Sequence, residues 1–381
     1  MSDSWQSALA RWTAAAVVDA ATAARIRAWE AEHGGEASKS RLALIAFGLG
    51  GLLLIAGVLL FVASHWDDLS PAGRFALVLA MIAAAHVGGA FAAKSSAGLS
   101  ATLHAVGTGA LGAGIYLAGQ IFNMAEHWPG ALMLWSIGAA AGVLLLRQWP
   151  QVLWLALLAP AWLWGEWLEL QSPHPAEHGL APAAVGLFLL ACAYLAATPA
   201  DSSARWRRAL AWLGAIGLIP AAAMLAITGT FDWRWHGELP GQLPTRALLV
   251  AWTVAIVLPF AVAFALRGRA SVYLLLAAVW AFLVTQLESR PDTGELALYA
   301  LMSIGAFGIV VLGVKDQQRL AVNVGVLGFA LTIIGFYFSN IFGKLDRALG
   351  LIGIGVVFIG GGWLLERMRR RLVGRIGKGN P

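Results

Sequence analysis

The sequence predicts an all-α fold: a polytopic helical membrane bundle of about twelve transmembrane helices, in a range of about ten to twelve, with a small cytoplasmic helical hairpin at its N-terminus. Three observations lead there. Of 381 residues, 59% are apolar and only 12% are charged, with a mean hydropathy of +0.74. A soluble domain carries about 25% charged residues, so this chain cannot hide its apolar surface from water in one globule. The apolar residues also come in continuous runs near the ~20 needed to cross a bilayer as a helix, not in the alternation of an outer-membrane barrel. Finally, the basic residues fall on alternate loops.

Residues 1–41 open the chain with ten charged residues and no secretory signal peptide. Trp5, Leu9 and Trp12 share one helical face, and Asp19 is placed to cap a second helix through Ile26 and Trp29 that Gly34 and Gly35 end. This region reads as a cytoplasmic helical cap, with a partner protein as its candidate ligand. The predicted spans are 42–64, 75–93, 99–122, 130–146, 151–168, 181–198, 209–228, 247–266, 271–288, 296–314, 320–341 and 348–365. They give a transmembrane bundle over 42–366, followed by a basic cytoplasmic tail over 367–381. The 147–150 link is short enough to force a hairpin between its flanking spans.

The positive-inside rule supports this arrangement. With a cytoplasmic N-terminus, 20 of the 26 Lys and Arg residues fall on the inner side and 6 on the outer side. Both termini are then cytoplasmic. The net charge of +6 thus reads as topology rather than nucleic-acid binding. Arg367, Arg369, Arg370 and Arg371 beside the last span would attract anionic lipid. The single cysteine, Cys192, excludes an intrachain disulfide, and no zinc spacing is present.

Four groups of residues could carry function. His86 and His104 are ionisable groups inside spans, where such groups are costly. Counted from the turn between their helices they lie at similar depth, each beside glycines that permit close helix approach. With Gln120 and Asn123 they are the candidates to line a polar path. His65, Trp66, Asp67, Asp68, Glu126 and His127 form a second, outer-face polar set. Trp162, Trp164 and Trp167 with Glu166 form a third, whose ring faces and acid suit a sugar, a lipid headgroup or a quaternary amine. The fourth is the basic tail. The run GTGALGAG fits Gly-x-Gly-x-x-Gly, but it lies inside an apolar span with no strand before it, so it reads as a helix-packing surface. No catalytic residue, metal site or cofactor is assigned, and the chain is not read as an enzyme.

Several stretches resemble a bacterial family of membrane proteins called domain of unknown function 2157. They are LARWTAAAVVDAATAARIRAWE, GVLLFVASHWDDLSPAGR, AGQIFNMAEHWPGALMLW and the closing FGKLDRALGLIGIGVVFIGGGWLLER. The match is best over about residues 5–150. The resemblance implies a bacterial inner-membrane protein and brings no activity, substrate or catalytic residue with it. The functional expectation is a protein that handles or transports a small solute or lipid along a polar path in the first three spans. The alternatives are a structural partner subunit docking through residues 1–41, and a membrane-embedded transferase on a lipid-linked substrate.

Overall fold

The computed structural model describes residues 3–29, 70–122, 127–171, 179–198, 204–230, 244–287 and 294–341, with isolated helical positions between 46 and 64 and between 352 and 367. The described residues are helical, with no strand among them. The chain divides into two compact units, Met1–Ala125 and Glu126–Pro381.

In the first unit, α1 (Asp3–Ala14) and α2 (residues 20–29) are joined by a turn. Asp19 caps α2 by accepting a hydrogen bond from the Thr22 amide at 2.7 Å and another from the Thr22 hydroxyl at 2.9 Å. Leu9 and Ala23 are buried, while Trp12 is exposed. Further along come α3 (Pro71–Ala92) and α4 (Ala97–Ile121), packed side by side. Ser70 caps α3, with Pro71 at the first helical position, where its missing N–H costs nothing. Ser96 caps α4 by accepting from the Leu99 amide at 3.2 Å, closing a tight turn after Ala92.

The second unit contains α5 (Trp128–Leu146), α6 (Trp149–Gln171), α7 (Ala181–Leu195), α8 (Arg205–Thr230) and α9 (Thr245–Arg267). They are followed by α10 (Tyr273–Thr285), α11 (Gly294–Lys315) and α12 (Arg319–Phe336). A 3-10 turn, Gly268–Val272, links α9 to α10. The packed pairs are α5 with α6, α7 with α8 and α9, and α11 with α12. Helix α7 is the centre: Ala184, Val185, Phe188, Leu189 and Ala193 are all buried. A helix that is apolar all round belongs inside a bundle. Glycine lets backbones meet there: a methyl on Gly186 would come within 3.1 Å of the Ala255 backbone.

The loops of this unit sort to two ends. At one end, Arg207 at the start of α8 donates to the carbonyls of Ala197 (3.1 Å) and Leu266 (2.7 Å), closing α7 and α9. Arg267 pairs with Asp316 after α11, and Gln318 donates to the Thr198 carbonyl. At the other end, His127 and Trp128 meet Glu166 and Glu169, and Tyr299 donates to Ser339 at 2.8 Å.

Each predicted span between 75 and 341 falls on a helix. Among the described residues, seven helical segments are long and apolar enough to cross a membrane by length and composition. One of them, Thr245–Thr285, runs through α9 and α10 together. Helix α6 has the length but is diluted by tryptophan, proline and glutamate, and α7 is short. The predicted first and last spans, 42–64 and 348–365, lie largely outside the described residues.

Candidate functional site

In the α3–α4 hairpin, His86 and His104 meet. Their Nδ1 atoms are 3.0 Å apart and their ring centroids 5.3 Å, with the planes inclined by 33°. His104 is buried and His86 half-buried. Each ring lies on a glycine of the opposite helix. A methyl on Gly107 would stand 2.7 Å from His86 Nε2, and one on Gly89 would stand 2.9 Å from His104 Nε2. Gly114 gives the same close approach to Val78. The glycine run is therefore a packing surface, and its Gly107 meets an imidazole.

A 3.0 Å separation between two ring nitrogens is a hydrogen bond, and it admits one hydrogen. One Nδ1 must donate and the other accept, so the two neutral rings hold opposite tautomers. The Thr108 hydroxyl donates to the His104 carbonyl at 3.1 Å, which satisfies that side chain within α4.

The structure does not gather the rest of the predicted path here. Gln120 lies 16 residues beyond His104 on α4, or about 24 Å along the helix, and is exposed. Asn123 lies outside the described residues, as do His65, Trp66, Asp67, Asp68 and Glu126 of the outer-face set. Of the tail arginines only Arg367 is described, and Arg369, Arg370 and Arg371 lie outside.

His127, expected among the outer-face acids, is found 3.2 Å from Glu166 in the second unit. Trp162 donates to the same carboxylate at 2.8 Å, and Trp128 donates to Glu169 at 2.9 Å. Trp162, Glu166 and Glu169 follow at i, i+4 and i+7, one stripe of α6. Gly165 lets Trp128 lie against this helix: a methyl there would meet its ring at 2.8 Å. Trp162, Trp164 and Trp167 of α6 thus diverge. Trp162 holds Glu166, whereas Trp167 is buried and donates to the Gly179 carbonyl at 2.6 Å.

Trp164 and Trp167 face a groove of about 420 Å³ between α6, α7 and α9. Its walls are apolar, with Leu187, Val250 and Pro259 among them. Its two charged lining residues, Glu166 and Arg246, both lie at the end near the C-terminus of α6 and the start of α9. Arg246 did not stand out in the sequence as a site residue. The signal available was its position, as one of only six basic residues on the predicted outer side. Among the described residues no group of three or more His, Cys, Asp or Glu gathers to hold a metal.

Residues 10–154 match the family model described as predicted membrane protein (DUF2157). The resemblance read from the opening stretches is thereby shown, over less than half of the chain. DUF2157 covers both histidines of the α3–α4 pair and His127, and ends before Glu166 and Arg246. No curated protein and no solved structure gives a significant match. The chain is a membrane protein with several apolar helices, and the DUF2157 description attaches no chemistry to them.

Proposed function

We propose that this chain is a lipid-binding protein of the bacterial inner membrane, seating a zwitterionic phospholipid in the groove between α6, α7 and α9. One observation carries the reading: an apolar groove whose two charged residues, one of each sign, sit together at one end. Arg246 suits a phosphate and Glu166 an ammonium, while the apolar length suits an acyl chain. The indoles beside them are the side chains most at home at headgroup level. The polar end would face outward, which follows if the chain has twelve spans with both termini cytoplasmic. That count adds 42–64 and 348–365 to the helices described, and is supported by the distribution of Lys and Arg. The cytoplasmic tail would add a second, anionic-lipid contact.

The test is native mass spectrometry of the full chain exchanged into equal phosphatidylethanolamine and phosphatidylglycerol. The expected result is a retained phosphatidylethanolamine, lost in Val250→Trp, which fills the groove, and reduced several-fold in Arg246→Gln. Equal retention of both lipids, or retention that none of these changes alters, would overturn the proposal. A docking role for residues 1–41 has the exposed Trp12 and Trp29 in its favour. It predicts a partner that co-purifies with the full chain and is lost in Trp12→Ser with Trp29→Ser.

A further inference from the structure

We infer that the His86–His104 pair is an intramembrane proton-binding site that holds one excess proton and refuses a second. The inference is independent of the lipid groove, because it rests on the other unit of the chain. Its ground is the geometry of two imidazoles joined nitrogen to nitrogen at 3.0 Å inside an apolar hairpin.

The proton count follows from that hydrogen bond. In the neutral pair one ring carries hydrogen on Nδ1 and is bare at Nε2. The other ring carries hydrogen on Nε2 and accepts at Nδ1. An incoming proton binds the bare Nε2 of the first ring, which becomes an imidazolium. Its Nδ1–H then makes a charge-assisted bond to the second ring, stronger than the neutral one. The shared proton can cross from one Nδ1 to the other, moving the positive charge to the second ring. That ring then releases its Nε2 hydrogen. One proton has entered at one ring and left from the other, and each ring has exchanged tautomer. Atoms and charge balance, and the end state mirrors the start. A second excess proton would require hydrogen on both Nδ1 atoms, with two N–H groups aimed at each other across 3.0 Å.

The surroundings enforce the same limit. Helices α3 and α4 are packed against each other, and their ionisable groups besides the histidines are Arg74, Tyr116 and, in the turn, Lys94. No carboxylate lies in residues 70–122. Arg74 is 12 residues before His86 and Lys94 is 8 after it, or about 18 and 12 Å along the helix. Tyr116 is 12 residues beyond His104, again about 18 Å. Nothing in this hairpin can neutralise a doubly charged pair. Gly89 and Gly107 hold the rings in register, so the pair is a built arrangement and not a chance approach.

The experiment uses the full chain in lipid nanodiscs with 15N-labelled histidine. The expected result is a 15N–15N coupling across the Nδ1–Nδ1 hydrogen bond, absent in His86→Asn and in His104→Asn. Between pH 8 and pH 4 the pair should take up one proton, not two. Circular dichroism checks that each variant keeps its helix content. If a variant does not fold, the wild-type coupling and proton count still decide the matter. Two independent single-proton titrations, no coupling, or loss of the coupling on adding one equivalent of zinc would each overturn the inference, the last in favour of a metal site.

Discussion

His86 and Gly107 are locked together: the imidazole lies where the side chain of any residue larger than glycine would stand, 2.7 Å from a methyl's position. Gly89 stands in the same relation to His104. Gly107→Ala or Gly89→Ala should therefore push a ring aside and cost about 1–3 kcal/mol, the usual penalty for overfilling a packed site. Gly119→Ala, on the same α4 but with nothing within 4 Å, should cost nothing measurable. Unfolding in mixed micelles compares the three, and equal behaviour would show that the glycine contacts carry no stability.

Arg207 spans two helix ends that would otherwise leave carbonyls without donors. A cation at this position also favours the negative end of each helix. Arg207→Ala should cost about 1–3 kcal/mol. Arg207→Lys should recover only part of this, since a shorter, more strongly hydrated ammonium would have to reach both carbonyls that the single Nη1 of Arg207 serves. Full recovery by lysine in the same unfolding assay would reduce the role to charge alone.

Arg267 and Asp316 are half-sheltered, with side-chain exposures of 11% and 24%. Removing either partner should destabilise the fold by about 1–3 kcal/mol, because the other is left without its counter-charge. Removing both should cost less than the sum, by about 0.5–3 kcal/mol of coupling. A double-mutant cycle reads this directly, and additivity would deny the pair any energetic standing.

Asp19 supplies a pH dependence. Hydrogen bonds from the Thr22 amide and hydroxyl hold its carboxyl below the ordinary value of 3.8. A carboxyl held lower in the folded state contributes stability above its unfolded value and loses it as pH falls through the folded one. Residues 20–29 should fray at their N-terminus below about pH 4 while the spans stay intact. Asp19→Asn, which keeps an acceptor without the charge, should remove the pH dependence. Amide NMR signals of Ala21, Thr22 and Ala23 in the full chain report it, and fraying that persists in Asp19→Asn would point elsewhere.

Hydropathy made the spans legible because a bilayer demands length and apolarity whatever the partners. It separated α9 from α10 as well, because Arg267, Gly268 and Arg269 interrupt the apolar run at the 3-10 turn. The depth of His86 and His104 was readable from their distances to a shared turn. That the two rings touch depends on the rotational phase of each helix, which the glycines at 89 and 107 indicate only once a partner helix is known. The His127–Glu166 contact joins residues 39 apart at the ends of an antiparallel pair. Tryptophan counting found the residues of α6 but not that they point in different directions.

The burial of α7 also bears on how the protein is made. This helix has 15 residues, about 22 Å at helical rise, which is short of the hydrocarbon thickness. It is enclosed by α8 and α9, and both are synthesised after it. Roughly 70 residues must follow Leu195 before α9 is complete, several seconds at ~5–20 residues per second. During that interval the nascent chain must shelter α7 against the translocation machinery or against α6 alone. Insertion of this region is therefore cooperative: truncation after α8 should yield a product that membrane quality control removes, although α3, α4, α5, α7 and α8 are all apolar by then.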